Sequence, residues 1–372
     1  MADVFAPFAQ ALADREAAAR AHKAAGGRVV GWLTNTSPNE LIAATGAFPL
    51  QLAAGADATP LGDRYMEDLF DPIVRAVFEG LLDGRYDFVD AVVLPRTSDS
   101  VQRLYYYLCE VRRMGEAHVP EPLLFDLLHT PWYSSAEYNF SRTLELKAAL
   151  ERVTGTAVTD ADLTAAIGTA NARRAAMRDL VALRREGRIT GVQANQLFAA
   201  KGAMAGAAFD AALAQVLAAP APVSRAPRIV LAGSPLDTPA LHALVEGAGG
   251  RVTGDFHEFG EPMIGPDIEA GADPLRALMA HYHRDVVSSR TFPQSPKPLA
   301  DFARACGAQG VIFNFYAEEE ALTWEYPAQR RALEAHGIAT LCFEGQPHHP
   351  DAAALSPLLA NFIGGLTARV PA

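Results

Sequence analysis

Apolar and polar positions in the first 130 or so residues follow two rhythms in turn. RVVGWLT (28–34), FVDAVVLP (88–95) and PLLFDLL (122–128) are short, nearly unbroken apolar runs. Runs of that length without polar alternation predict strands buried on both faces of a parallel sheet. Between them apolar residues recur at helical spacing. Ser37-Pro38-Asn39-Glu40 predicts a helix start, with Ser37 as N-cap, Pro38 at the first helical position and Glu40 closing a capping box. Gly46 ends that helix, FPLQLAAG (48–55) is the next strand, and a long helical pattern runs from about 64 to 82. Strand and helix in alternation predict a doubly wound domain.

From about Phe140 the strand rhythm stops. SRTLELKAALERVTG, DADLTAAIGTANARRAAMRDLVALRREG and TGVQANQLFAAKGAMAGAAFDAALAQVLAA are Ala-rich and helical in period. The proline-dense PAPVSRAP (220–227) then reads as a linker. A second α/β unit follows: strands RIVLAGS (228–234), RVTGDF (251–256), GVIFNFY (310–316) and IATLCFE (338–344), with helices near 238–247, after Asp273-Pro274 and near 351–366. The expected architecture is α/β, with two doubly wound parallel-sheet lobes of Rossmann or flavodoxin type. They span 1–140, including a leading helix, and 228–372, with a helical domain at 141–219. Ligands of such sheets gather beyond the carboxyl ends of the strands, which directs attention to the loops 34–39, 96–100, 232–236, 256–260 and 315–320.

Composition narrows the function. Half the residues are hydrophobic, enough for sizeable cores, and the net charge of −11 with no long basic run excludes a nucleic-acid binder. No apolar run reaches the roughly 18 residues a membrane span needs. The N-terminus carries acidic residues and no basic n-region, so it reads as an amphipathic helix and the protein as cytoplasmic. Cys109, Cys306 and Cys342 are widely spaced with no C-x-x-C, which predicts three buried thiols rather than a disulfide framework or zinc site.

The loops offer limited chemistry. Thr97-Ser98-Asp99-Ser100, between Arg96 and Arg103, are all residues that cap helices well. No His in that loop would activate Ser98, and no G-x-S-x-G elbow surrounds it. AGSP (232–235) lacks both the dinucleotide and the phosphate-loop patterns, although helix-start N–H groups can hold an anion. Glu318-Glu319-Glu320 suits the first turn of a helix. His281 and His283, two apart, do not share a helix face, and Tyr105-Tyr106-Tyr107 reads as packing and surface. The candidate catalytic residues are Ser37, Glu40, Ser98, Asp99 and Glu318.

Longer segments carry a resemblance. VVGWLTNTSPNELIAATGAFPLQLAAG, DFVDAVVLPRTSDSVQRLY, PRIVLAGSPLDTPALHALVEGAGGRVTGDF and GVIFNFYAEEEALTWEYPAQRRALEAHGIATLCFE occur in the order found in one family. From about 25 to 370 the chain resembles the 2-hydroxyacyl-CoA dehydratase and benzoyl-CoA reductase family, in its cluster-carrying D-component type of subunit. The resemblance implies a pair of related subunits, an acyl-CoA substrate, a [4Fe-4S] cluster held by strand-end cysteines and an ATP-dependent activator protein that supplies the electron. Where the family reads Thr-Cys-Asp, this chain reads Thr97-Ser98-Asp99. Cys-Pro becomes Asp71-Pro72, and Phe-Cys-Asp becomes Phe315-Tyr316-Ala317. A further Cys-bearing segment becomes Val287-Ser288-Ser289-Arg290.

Asp71, Ser98 and Tyr316, with Ser288 and Ser289, are therefore degenerate cluster positions. Fe–S clusters are held by thiolates, so the chain is expected to bind no cluster of its own, the [4Fe-4S] residing on a homologous partner subunit. The alternatives are a [4Fe-4S] cluster with unusual ligands, or a harder ion on the oxygens of Asp71 and Ser98. Arg96, Arg103 and Arg290 are candidates for contacts to CoA phosphates or the carbonyl. The implied function is a subunit of a lyase or an aryl-CoA reductase. A stand-alone acyl-CoA binder or enzyme reusing the cleft, and a structural assembly subunit, are the alternatives.

Overall fold

The computed structural model describes residues 3–55, 58–219, 222–284 and 296–367. The first α/β unit begins with helices α1 (Ala6–Ala13) and α2 (Ala17–Ala24). It continues as β1 (Val29–Trp32), α3 (Asn39–Ala44), β2 (Phe48–Gln51), α4 (Pro72–Leu82), β3 (Ala91–Pro95), α5 (Asp99–Met114) and β4 (Glu121–Phe125). Four helices follow, α6 (Tyr133–Thr154), α7 (Asp160–Glu186), α8 (Gly191–Lys201) and α9 (Gly206–Ala218). The second unit is β5 (Arg228–Gly233), α10 (Ala240–Gly247), β6 (Arg251–Phe256), α11 (Pro274–Arg284), α12 (Lys297–Ala305), β7 (Gly310–Tyr316), α13 (Ala321–Glu334), β8 (Ala339–Gln346) and α14 (Ala352–Thr367).

The two sheets have one plan. Their strand orders are β2-β1-β3-β4 and β6-β5-β7-β8, with every pairing parallel. The chain leaves β1 toward one edge and returns to the other side of it as β3, so the switch point of the first sheet lies between β1 and β3. That of the second lies between β5 and β7. Every residue of β1, β3 and β7 is buried, as unbroken apolar runs require in a sheet covered on both faces.

Alternate residues of each strand face opposite sides. On one side of the first sheet Val29, Leu33, Leu50, Val92 and Leu94 pack with Val77 and Phe78 of α4 and Leu104 and Leu108 of α5. On the other, Val30, Trp32, Ala91, Val93 and Phe125 meet Leu41 and Ile42 of α3, Leu146 of α6 and Ile167 of α7. Leu275, Leu278 and Tyr282 of α11 complete that core. A helix from the second half of the sequence thus seals the first sheet. The leading helix, in turn, buries Phe8 among Leu180, Leu197 and Phe209 of α7, α8 and α9.

Three local expectations need correction. The capping box at Ser37 does not form. Helix α3 begins at Asn39, with Pro38 in the N-cap position, so Glu40 is second in the helix rather than third and cannot reach back to close the box. The Ser37 hydroxyl, fully buried, has no hydrogen-bond partner, and Glu40 turns inward to Arg174 and Tyr282. The helical pattern from 64 onward becomes a 3-10 turn (Gly62–Arg64) and then α4, which starts only at Pro72. Asp71 sets that start: its Oδ1 accepts from the N–H groups of Ile73 (2.8 Å) and Val74 (3.1 Å). Of the three thiols only Cys306 is buried, Cys109 and Cys342 being partly exposed.

A cavity where the two sheets face each other

The carboxyl ends of both sheets converge on one partly open cavity of about 130 Å³. Leu33 and Thr34 after β1 and Ser98 after β3 supply one wall. Ala232, Gly233 and Pro235 after β5 and Phe315 and Glu319 after β7 supply the other, and the segment 256–259 after β6 closes it. Both switch points, and all five strand-end loops marked by the sequence, therefore open onto the same cavity. Gly233 has φ +110°, and a Cβ there would sit 2.3 Å from the Asn314 carbonyl oxygen. Only glycine lets this loop pass so close to β7.

The helix starts are locked to each other. Ser98 is the N-cap of α5, its Oγ accepting from Val101 N–H at 3.2 Å. The Asp71 N–H donates to Ser100 Oγ at 3.1 Å, tying the head of α4 to the head of α5. These contacts bring Asp71 and Ser98 to the same cavity wall. Ile73, Val74, Val101, Phe256 and Phe315 make most of the remaining surface apolar.

Three carboxyl groups share this space. Burial pushes Asp71 up to about 6, the nearby charge of Glu319 adding to it, against the helix-start N–H groups that favour the carboxylate. Burial and the charge of Asp71 push Glu258 up to about 7, with hydrogen bonds from the Asn35 N–H and the Thr34 hydroxyl opposing. Burial also raises Glu319. Glu258 Oε1 has no hydrogen-bond partner. Like charges in a largely apolar site do not all ionise together, so near neutral pH the cluster retains a proton. A neutral carboxyl group here is a hydrogen-bond donor facing an apolar cavity.

His257 also lines the cavity, 4% exposed and with neither ring nitrogen hydrogen-bonded. Burial holds it down to about 4, so its imidazole is neutral. Behind it lies Asp255, whose Oδ1 is 3.9 Å from His257 Nε2 and 2.9 Å from His242 Nε2. Among the described residues, His242, Asp255 and His257 form the one group of three whose ligand atoms are close enough together for a metal ion. The positive charge is already there. The fully buried Arg184 places Nη1 2.9 Å from Asp255 Oδ2 and donates through Nε to the Val252 carbonyl. Burial would push Asp255 up, but Arg184 and His242 outweigh it and hold the carboxylate well below its usual range. This is an internal ion pair that fastens α7 to β6.

The remaining sequence candidates are dispersed. Tyr316 does not line the cavity. Its hydroxyl donates to the Pro235 carbonyl and its ring meets His348 at 5.9 Å, one layer behind the wall. Arg96 pairs with Asp126 at 3.2 Å, and the Arg103 guanidinium lies 5.5 Å from the Phe70 ring centroid. Asp99 is exposed in the first turn of α5, and Glu318 lies beside the cavity without lining it. Ser288, Ser289 and Arg290 lie outside the described residues. No cysteine lines the cavity. Asp71 Oδ1 and Ser98 Oγ cap helices, leaving Asp71 one carboxylate oxygen toward the cavity, and Tyr316 spends its hydroxyl on a carbonyl. The residues at this site do not fit a thiolate-held [4Fe-4S] cluster.

Glu40 belongs to a second cavity, of about 580 Å³, on the opposite face of the first sheet. It is lined by Trp32, Arg173, Arg174, Lys201 and Tyr282 among others, and Pro262 borders both cavities. There Glu40 pairs with Arg174 and accepts from the Tyr282 hydroxyl at 2.7 Å. Sequence reasoning marked the 256–260 loop without singling out His257 or Glu258, and passed over Trp32 and Lys201. A lone Lys in the apolar FAAKGAMAG was the available signal for the latter.

Two parallel sheets of equal strand order, sharing a cavity at their switch points, define a two-lobed α/β protein with an internal cleft. Residues 34–364 match the 2-hydroxyglutaryl-CoA dehydratase D-component family, and the chain belongs to it. It is similar to one of the subunits of benzoyl-CoA reductase from Thauera aromatica, 26% identical over 304 residues that cover 77% of each chain. No helix among the described residues is long and apolar enough to cross a membrane.

Proposed function

We propose that this chain is the cluster-free subunit of a heteromeric, cytoplasmic 2-hydroxyacyl-CoA dehydratase or aryl-CoA reductase, and that the cavity at the two switch points is its part of the acyl-CoA cleft. One observation supports the reading: Asp71, Ser98 and Tyr316, which the resemblance sets at the family's cluster-cysteine positions, are each engaged in a hydrogen bond that serves the fold. A homologous partner subunit with intact cysteines would hold the [4Fe-4S] cluster, and an ATP-dependent activator protein would reduce it. This chain contributes apolar walls that exclude water from the acyl group. Its protonated carboxyl cluster, with Glu258 foremost, would donate a hydrogen bond to the thioester carbonyl as negative charge develops there.

The test is anaerobic co-expression with a cysteine-complete homologue, followed by iron and acid-labile sulfide assays on each purified chain. Co-purification is expected, with iron and sulfide on the partner alone. Near-stoichiometric iron and sulfide on this isolated chain would refute the assignment. A stand-alone acyl-CoA binder is the second reading, favoured by a carboxyl cluster complete within this one chain. A rise in melting temperature with CoA thioesters in the absence of any partner would support it. No response to any thioester, with assembly intact, would leave a structural subunit.

A further inference from the structure

The second cavity has no part in that reading, and one of its cations is left without a carboxylate partner among the described residues. Arg173 holds Asp210 through two bonds of 2.6 and 2.8 Å. Arg174 and Tyr282 hold Glu40. Asp162, exposed at the rim, accepts from the N–H and hydroxyl of Thr159 at the start of α7. Each acid that faces the space is thus engaged. Lys201 is not matched in this way: its Nζ has one long contact, 3.5 Å to the Met263 carbonyl oxygen, and among the described residues no carboxylate lies within ion-pair distance of it. Trp32, 2% exposed at the end of β1, lines the same cavity with its indole N–H lacking an acceptor. An ammonium group and an indole N–H can only donate.

Keeping an ammonium desolvated without a counter-ion is costly. Burial, with the charges of Arg174 and Arg173, brings Lys201 down to about 8, the charge of Glu40 opposing only in part. A ligand that brought one negative charge would offset the burial and both repulsions at once. The volume lies within the range of roughly 300–1,000 Å³ typical of small-molecule sites, and Ala43, Ala44, Ala166, Ala170 and Met177 give it an apolar floor.

We propose that this cavity binds a small organic anion, with a carboxylate or phosphoryl head group taken by Lys201 and Trp32 and the rest of the molecule on the alanine-rich surface. The site needs neither a partner subunit nor a cluster, so it stands or falls independently of the function proposed above.

The test is titration calorimetry on the full chain with succinate, inorganic phosphate, coenzyme A and uncharged pantetheine. Saturable binding of succinate or phosphate assigns the site to a free anion. Binding of coenzyme A without either, and without pantetheine, assigns it to the phosphates of a CoA ligand. In both cases Lys201→Met should weaken binding about tenfold or more, as loss of a charge-assisted bond does, and Lys201→Arg should retain most of it. Lys201→Met removes a half-buried charge with no carboxylate partner among the described residues and should fold about as well as the parent. A measurement on the unaltered chain guards against misfolding of the variant: affinity should be full below about pH 8 and fall as Lys201 loses its proton above it. His281 faces the same space, so the pH series is repeated with His281→Gln, where the fall should persist. No Lys201-dependent binding of any charged probe at millimolar concentration, or binding equally strong in Lys201→Met, would overturn the proposal.

Discussion

Replacing Glu258 by Gln isolates the electrostatic cost of the carboxyl cluster. The folded chain raises Glu258 from its ordinary 4.5 to about 7, with burial first and the charge of Asp71 second among the causes. Below 4.5 the group is protonated whether the chain is folded or not, and it adds no pH dependence. As pH rises through the interval to about 7, the unfolded chain releases a proton that the folded chain keeps, so stability falls. Above that the loss is complete, at about 3 kcal/mol from 1.36 kcal/mol for each pH unit of displacement. Gln has nearly the same shape, accepts from the Asn35 N–H as the carboxylate does, and never ionises. The variant should therefore match the parent at acid pH and exceed it by up to about 3 kcal/mol on the alkaline side. Urea midpoints measured at constant ionic strength across that range give the comparison directly. Asp71→Asn should bring part of the same gain, and the double variant less than the sum, because each acid carries the repulsion of the other. Equal pH slopes in parent and Glu258→Gln, or a variant weaker than the parent in alkali, would show that the carboxyl group is solvated rather than held against the apolar wall.

The internal ion pair makes a prediction of opposite sign. Arg184→Met leaves Asp255 buried with His242 as its remaining close partner, and should cost roughly 3–5 kcal/mol; a loss under about 1 kcal/mol in urea would mean that Asp255 simply takes up a proton instead. Ser98→Ala removes the cap of α5 and should cost about 1 kcal/mol, read as a shift of the thermal midpoint, whereas an unchanged midpoint would deny the cap. Gly233→Ala forces a side chain into a left-handed turn against the Asn314 carbonyl and should cost roughly 2 kcal/mol or more. A melting curve that overlays the parent's would show that the β5 loop has room to move.

What could be read from the sequence was whatever is local. β1, β3 and β7 announced themselves because a strand covered on both faces leaves no polar break in its apolar run. The five loops followed from the rule that strand ends in such sheets gather ligands. What failed was set by partners far along the chain. Glu40 looked like the end of a capping box because nothing nearby shows that Arg174, 134 residues on, will claim it. The helix expected from 64 waits until Pro72 because Asp71 supplies a stronger start. Glu258 is an acid between His257 and Phe259 that reads as surface until the first lobe closes over it, and its displaced proton affinity arises from that closure alone. No local pattern marks α11 as the cover of the first sheet, since its apolar stripe would suit either lobe.

The residues at the degenerate cluster positions are not a random set. Asp71 and Ser98 each stand immediately before a helix, where side-chain oxygen is the best available cap for otherwise orphaned N–H groups. If, as proposed, these positions no longer ligate iron, Asp and Ser are the residues that gain most there, and both caps are made. Tyr316 ends a strand, where no N–H groups wait for a cap. A large side chain is admissible there because it turns away from the cavity, fills the layer behind and anchors its hydroxyl on Pro235. The three positions therefore obey the rules of folding at three different backbone sites, which is the pattern the proposed cluster-free role requires. The cost of an acid at this helix start is that the half-buried Asp71 carboxyl group must share a largely apolar cavity with Glu258 and Glu319. That same crowding keeps a proton in the cavity at neutral pH, so the residue that starts the helix also sets the chemistry of the cavity wall.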